Sequence, residues 1–160
     1  MSQDRKQGKQ KIQFKLVHPN AEVPKRATDG SAGYDLMAAS ITWHSNPDKL
    51  DLPSYDIEID VGVAVSLPPN TVGLIFPRSS LSKTPYSFAN AVGVLDSDYS
   101  GTLKVRLRED FDRLGSKYVV GDRVAQLVIV PIVEVGYEVV ETLSNESQSR
   151  GSGGFGSTGR

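Results

Sequence analysis

The run Ile57-Glu58-Ile59-Asp60-Val61-Gly62-Val63-Ala64-Val65 puts an apolar residue at every second position for nine residues. Period two is the repeat of a strand with one face buried and the other facing water. A second run repeats the pattern, with Leu103, Val105 and Leu107 alternating against Lys104, Arg106 and Arg108. Ile12, Phe14 and Leu16 alternate with Gln13, Lys15 and Val17 in a third. Val72–Phe76 and Ala125–Val135 are more continuously apolar, which predicts strands covered on both faces. Turn chemistry separates the runs at Asp29-Gly30, Pro68-Pro69-Asn70, Ser100-Gly101 and Val120-Gly121-Asp122. No long window carries a helical period. One short helical stretch is expected after Pro77, through Lys83. The sequence therefore predicts an all-β sandwich or barrel with one short helix. Trp43–Tyr55, with Pro47 and Pro53, and Glu109–Tyr118 read as loops.

Composition narrows what such a domain can do. The 160 residues contain no cysteine, which excludes disulfides, a thiol nucleophile and zinc held by sulfur. The only histidines, His18 and His44, lie in different segments, so a histidine-rich metal centre is not expected. A net charge of −1 gives no field to attract nucleic acid, and stable nucleic-acid binding is not expected. No apolar run approaches the ~20 residues of a membrane span, which predicts no membrane association and a cytoplasmic protein.

The chain divides into three parts. Residues 1–11 carry Arg5, Lys6, Lys9 and Lys11 against Asp4 and read as a disordered basic tail. Residues 12–143 form the β domain. Residues 144–160 hold five Gly and five Ser and bury almost nothing alone, which predicts a flexible arm. Arg150 and Phe155 stand out in that arm, because a pure spacer needs neither a guanidinium nor an aromatic ring.

Three polar, glycine-flanked segments can carry chemistry. In Gly93-Val94-Leu95-Asp96-Ser97-Asp98-Tyr99-Ser100-Gly101, the paired carboxylates can act as a general base, bind a divalent cation or close a hairpin. The apolar flank predicts that one of them is buried. Pro77-Arg78-Ser79-Ser80-Leu81-Ser82 offers hydroxyls, backbone N–H groups and a guanidinium, a set that suits a phosphate or caps an ordinary turn. Arg150-Gly151-Ser152-Gly153-Gly154-Phe155-Gly156-Ser157-Thr158-Gly159 is neither a Walker A loop nor a dinucleotide fingerprint. It can instead close over a nucleotide, ring on base and guanidinium on phosphate. Together the three segments point to a nucleotide with Mg²⁺.

These motifs, with Ala32-Gly33-Tyr34-Asp35-Leu36 before them and Gly121-Asp122-Arg123-Val124-Ala125-Gln126-Leu127 between the second pair, resemble in order the five motifs of the trimeric dUTP diphosphatases (dUTPases). The resemblance runs from about residue 28 to the C-terminus. It implies a distorted, jelly-roll-like β-barrel assembled as a homotrimer, with active sites between subunits and a swapped C-terminal arm. It also implies the reaction, Mg²⁺-dependent hydrolysis of dUTP to dUMP and pyrophosphate, which limits uracil in DNA and supplies dUMP for dTMP synthesis.

By the same resemblance Asp96 is the general base for the attacking water, and Tyr99 packs on the deoxyribose and excludes a 2′-hydroxyl. Asn90 and the backbone of Gly93, Val94 and Leu95 read the uracil edge, and Lys104 is a further substrate contact. Asp35 holds Mg²⁺ through water. Arg78, Ser79, Ser80 and Gln126 bind phosphates, whereas Asp122 and Arg123 brace the interface or the turn. Arg150 contacts the γ-phosphate and assists catalysis, Phe155 is the stacking lid, and Gly156, Ser157 and Thr158 complete the arm's contacts.

Four features depart from the family pattern, one of them the loop Glu109 to Lys117, which lacks an asparagine often seen near this point. Ser80 replaces a common glycine, Asp60-Val61 replaces a threonine-containing approach to Gly62, and Trp43–Tyr55 is longer than usual. The dCTP deaminases share a similar Arg-Ser-Ser-Leu turn, but the Asp-x-Asp-Tyr-x-Gly segment and the Phe-bearing arm favour the diphosphatase. A non-catalytic dUTP sensor would not require Asp96 and Arg150.

Overall fold

The computed structural model describes residues 11–46, 54–110 and 115–144. Nine strands form there: β1 (Gln13–Leu16), β2 (Tyr34–Met37), β3 (Ser40–Asn46), β4 (Ser54–Ser66), β5 (Thr71–Pro77), β6 (Tyr86–Phe88), β7 (Gly93–Leu95), β8 (Thr102–Glu109) and β9 (Arg123–Pro131). A single 3-10 turn, Ser79–Lys83, joins β5 to β6, as the proline-led stretch predicted.

The long β4 organises one sheet. Its first half pairs with β3 and its second half with β1, both on the same edge, while β8 runs along the other edge and β6 follows. The second sheet has the order β2-β9-β5-β7. All pairings between these strands are antiparallel. Ile57, Ile59, Val61, Val63 and Val65 of β4 and Leu103, Val105 and Leu107 of β8 all point inward and are buried. They meet Leu36, Ile75, Leu95, Val124, Ala125 and Leu127 of the other sheet in one core. Burying each such side chain is worth about 1.5–3 kcal/mol, so these alternating rows dominate the drive to fold.

β4 keeps its buried row through an irregularity. Its pairing with β8 jumps from Asp60↔Lys104 to Ala64↔Thr102. Gly62 occupies the jump at φ +68°, a left-handed conformation that side chains resist. The Asp60 carboxylate accepts the Gly62 N–H at 2.6 Å and locks the bulge.

Four expectations are corrected. Trp43–Asn46 and Ser54–Tyr55, read as loop, belong to the β3–β4 hairpin, and residues 47–53 lie outside the described residues. Trp43 and His44 are exposed, so no apolar alternation signals this strand; backbone pairing with β4 defines it. Glu109 ends β8 rather than opening a loop, and it is buried with Lys117 Nζ 2.8 Å from Oε1. Val72, Leu74 and Phe76 are only partly covered, not closed on both faces. Finally, β9 stops at Pro131; one more backbone bond follows, from Ile132 N–H to the Asn70 carbonyl at 2.9 Å, and Val133 and Val135 beyond it are exposed. Of the basic tail only Lys11 is described, and the arm beyond residue 144 lies outside the described residues.

Candidate active site

Most of the predicted site residues that the structure describes line one of two clefts; Ser80 lines neither and sits beside Arg78 next to the second. The first, about 270 Å³, is lined by Asn90, Gly93, Val94, Leu95, Asp96, Tyr99 and Lys104, together with Ile75, Thr102 and Leu103. β7 forms its floor. It pairs with β5 on one side and is the edge strand of its sheet. Its outer edge therefore keeps backbone N–H and C=O groups for a ligand. Asn90 Nδ2 donates to the Val92 carbonyl at 3.0 Å, which aims the amide oxygen as an acceptor.

Chain reversal follows β7 directly. Tyr99 N–H donates to the Asp96 carbonyl at 3.2 Å, and this turn projects the Asp96 side chain outward. Asp96 is exposed, as is Asp98, so the expectation of a buried carboxylate fails. Leu95 alone of that run is buried, because a turn sends successive side chains in diverging directions. The Tyr99 ring lies back along the turn, its hydroxyl donating to the Thr102 carbonyl at 3.1 Å. A Cβ on Gly101 would collide with that hydroxyl, so glycine lets the ring lie where it does and a side chain there would displace it. Lys104 is held at the mouth by Glu58, Nζ to Oε1 2.7 Å. Hydrogen bonds from Lys104 and then Arg106 keep the Glu58 carboxyl below its usual range despite partial desolvation.

The second cleft, also about 270 Å³, is lined by Asp35, Arg78, Ser79 and Gln126 with Ala27, Ser31, Ala32 and Gly33. Asp35 on β2 receives two guanidinium groups. Arg78 Nε lies 2.9 Å from Oδ1 and Arg123 Nη1 lies 3.3 Å from Oδ2. Arg78 also donates to Ser80 Oγ at 3.2 Å, so the departure from glycine at this position gives the guanidinium a further hold. Gln126 Nε2 donates to the Pro77 carbonyl at 3.0 Å and ties β9 to the start of the 3-10 turn. Asp122 accepts the Val119 N–H at 2.8 Å, consistent with a turn-bracing residue. The cleft thus combines arginine, hydroxyl and amide donors, the equipment of a phosphate site.

No lining residue is common to the two clefts. Among the described residues no group of three or more His, Cys, Asp or Glu is arranged to hold a metal. Arg150, Phe155, Gly156, Ser157 and Thr158 lie outside the described residues. Sequence reading missed Ile75, Thr102 and Leu103 in the first cleft and Ala27 and Ser31 in the second. The first three sit in strand-like runs and carry no signal that separates them from structural positions.

A sequence model of the dUTPase family matches residues 19–159. The deoxyuridine 5′-triphosphate nucleotidohydrolase of Escherichia phage T5 is 38% identical, covering 92% of this chain and 98% of its own. The enzyme of the same name from Rhodococcus erythropolis is 39% identical over 92% of this chain and 85% of its own. Among solved structures, a Staphylococcus bacteriophage 80alpha dUTPase with dUPNHPP superposes with a TM-score of 0.77 at 30% identity, covering 94% of this chain and 99% of that one. A dUTPase from phage phi11 of S. aureus, described with a structural Mg(II) ion, does so at 0.68 and 27%, covering 84% of this chain and 99% of that one.

Proposed function

The chain belongs to the dUTPase family, and on that premise we propose that it converts dUTP and water to dUMP and pyrophosphate in a homotrimer whose active sites join surfaces of different subunits. The observation that carries this reading is the first cleft, where one edge strand and one turn bring together Asn90, Asp96, Tyr99 and Lys104. The activity would limit uracil in DNA and supply dUMP for dTMP synthesis, in the cytoplasm of the cell that houses it.

The base is read by hydrogen bonds. With its N–H engaged by Val92, the Asn90 amide accepts the ring N–H of uracil, which neutral cytosine lacks at the same atom. The open edge of β7 supplies further donors and acceptors through Gly93, Val94 and Leu95. A mismatched base leaves these groups unpaired, a penalty large enough for strong discrimination. Tyr99 walls the sugar side, where a 2′-hydroxyl has no room.

Asp96, exposed just past the end of the same strand, is free to orient and deprotonate a water beside the α-phosphorus. Arg78, Ser79, Ser80 and Gln126 hold the phosphates, and Asp35 fixes Arg78 at that cleft while also pairing with Arg123. The donor set fits a magnesium ion carried by the triphosphate and its own waters, touched by Asp35 through water, rather than a protein cage. When bound, that ion neutralises phosphate charge. Arg150 and the arm residues Phe155, Gly156, Ser157 and Thr158 then cover the nucleotide and exclude bulk water.

Two features support the assembly. The clefts share no wall, so joining the nucleoside half to the phosphate half calls for a second copy. Val133, Val135, Tyr137 and Val139 are 75–97% exposed on the single chain, an apolar stretch that asks for a partner surface.

Pyrophosphate and ammonia release from dUTP, dCTP, dTTP and UTP with Mg²⁺ test the proposal, for the wild type and for Asp96→Asn. Pyrophosphate from dUTP alone is expected, with a fall of about 10²–10⁴ in kcat for the variant. Ammonia from dCTP, or full activity in the variant, would overturn it.

A further inference from the structure

We infer that Asp60, outside the substrate clefts, is a positioning residue that sets discrimination between deoxyribonucleotide and ribonucleotide by fixing the Tyr99 wall. The inference rests on the reading of Tyr99 given above and assigns the device that holds its ring in place.

The two oxygens of Asp60 do different things. One accepts the Gly62 N–H at 2.6 Å and closes the bulge of β4. The other accepts the Thr102 hydroxyl at 3.1 Å. Thr102 is the first residue of β8 and lines the nucleoside cleft, and its carbonyl accepts the Tyr99 hydroxyl at 3.1 Å. Hydrogen bonds therefore lead from the buried bulge to the ring through Thr102: Gly62 and the Thr102 hydroxyl both bond Asp60, the Thr102 carbonyl bonds Tyr99, and the body of Thr102 is the covalent link between them.

The line matters because the turn has little else to hold it. Residues 96–100 are all exposed, and the ring is 46% accessible. Asp60 sits on the best-packed strand of the domain, between the buried Ile59 and Val61. Asp60 stands opposite Lys104, so Thr102, two residues back along β8, lies diagonal to it within side-chain reach. β4 thus aims a carboxylate from the rigid core at the hinge of a loosely packed turn. A steric wall discriminates only if it cannot give way; once the ring can shift by a fraction of an ångström, a 2′-hydroxyl is admitted. Asp60 also faces Lys104 across the β4–β8 pairing, where the charges are complementary and add to the hold on the same cleft.

The experiment compares kcat/KM for dUTP and UTP in the full chain with Mg²⁺, with the melting temperature of each variant recorded. Thr102→Val keeps the shape and the β-branched backbone preference but cuts the link to Asp60; a roughly two- to tenfold fall in the dUTP:UTP ratio is expected, the range one hydrogen bond can hold. Tyr99→Phe keeps the ring and cuts the last link, with a similar fall. The double variant should lose no more than either single one, since both break one line. Asp60→Asn can still accept from Gly62 and donate to the Thr102 hydroxyl, so it retains the ratio.

An unchanged ratio in Thr102→Val, or additive losses in the double variant, would overturn the role of Asp60, as would a fall confined to variants that also melt early. Tyr99→Ala separates the two readings. If it admits UTP while Thr102→Val does not, the sugar wall stands and only the Asp60 line fails. If Tyr99→Ala leaves the ratio unchanged, the wall itself is refuted and the inference goes with it.

Discussion

Tyr86 is fully buried against the stacked ring of Tyr118, centroids 5.6 Å apart, and its hydroxyl has no partner among the described residues. Burial first, then the charges of Glu109 and Tyr118, push its pKa from the ordinary 10.0 up to about 12. The unfolded chain ionises this group near pH 10 while the folded chain does not. Its contribution to stability is therefore complete below pH 10 and drains away as the pH rises through 12. Tyr86→Phe should remove that part of the alkaline loss and raise stability at pH 7 by about 1 kcal/mol, because an unpaired buried hydroxyl is a net cost. Urea unfolding at pH 7, 10 and 11 checks both, and a destabilised variant at pH 7 would mean that the hydroxyl has a partner. At this scale the sequence was least informative. The reading of a buried carboxylate at residues 96–98 went wrong because an apolar flank says nothing of where a turn sends its side chains. The guanidinium pair on Asp35 joins positions 43 and 88 residues apart in sequence and was equally invisible.

Elements were far more legible. The alternation of β4 and β8 appears in the structure residue for residue, since a strand's period of two leaves the buried row no second choice. What alternation does not reveal is the bulge inside β4. A Cβ at Gly62 would lie 2.6 Å from the Cβ of His18, 2.9 Å from that of Ala39 and 3.0 Å from that of Ala21, and it would also need the left-handed backbone. Gly62→Ala should cost about 2–4 kcal/mol, read as a lower urea midpoint at fixed protein concentration. Gly121, also at positive φ but with open space around a Cβ, should lose less on the same substitution, because only the backbone term applies there. The hairpin of β3 with β4 shows the converse. It forms through backbone bonds around exposed Trp43 and His44, so side-chain pattern reading recorded a loop.

For the whole molecule, the single chain has two clefts with no lining residue in common and an apolar stretch after Pro131 exposed to water, the two features on which the proposed trimer rests. Replacing Val133 and Val135 together by aspartate should lower the mass seen by light scattering from that of a trimer toward that of one chain. dUTP hydrolysis should fall with it, while the far-UV spectrum of the β domain persists. A variant that stays trimeric would place the interface elsewhere. Residue order by itself determined the β class, the short turn after Pro77 and most of the polar lining of both clefts, but not Ile75, Thr102 and Leu103 in the first or Ala27 and Ser31 in the second. Those are local facts: side-chain period sets the buried rows, and glycine, proline and hydroxyl chemistry sets the turns around them. Only the tertiary structure decided that Asp35 serves two arginines, that Ser80 holds Arg78, and that Asp60 reaches Thr102 across a bulge. Each of these depends on a register between distant strands, which is chosen by how the two sheets pack over one core and not by any residue's neighbours in the chain.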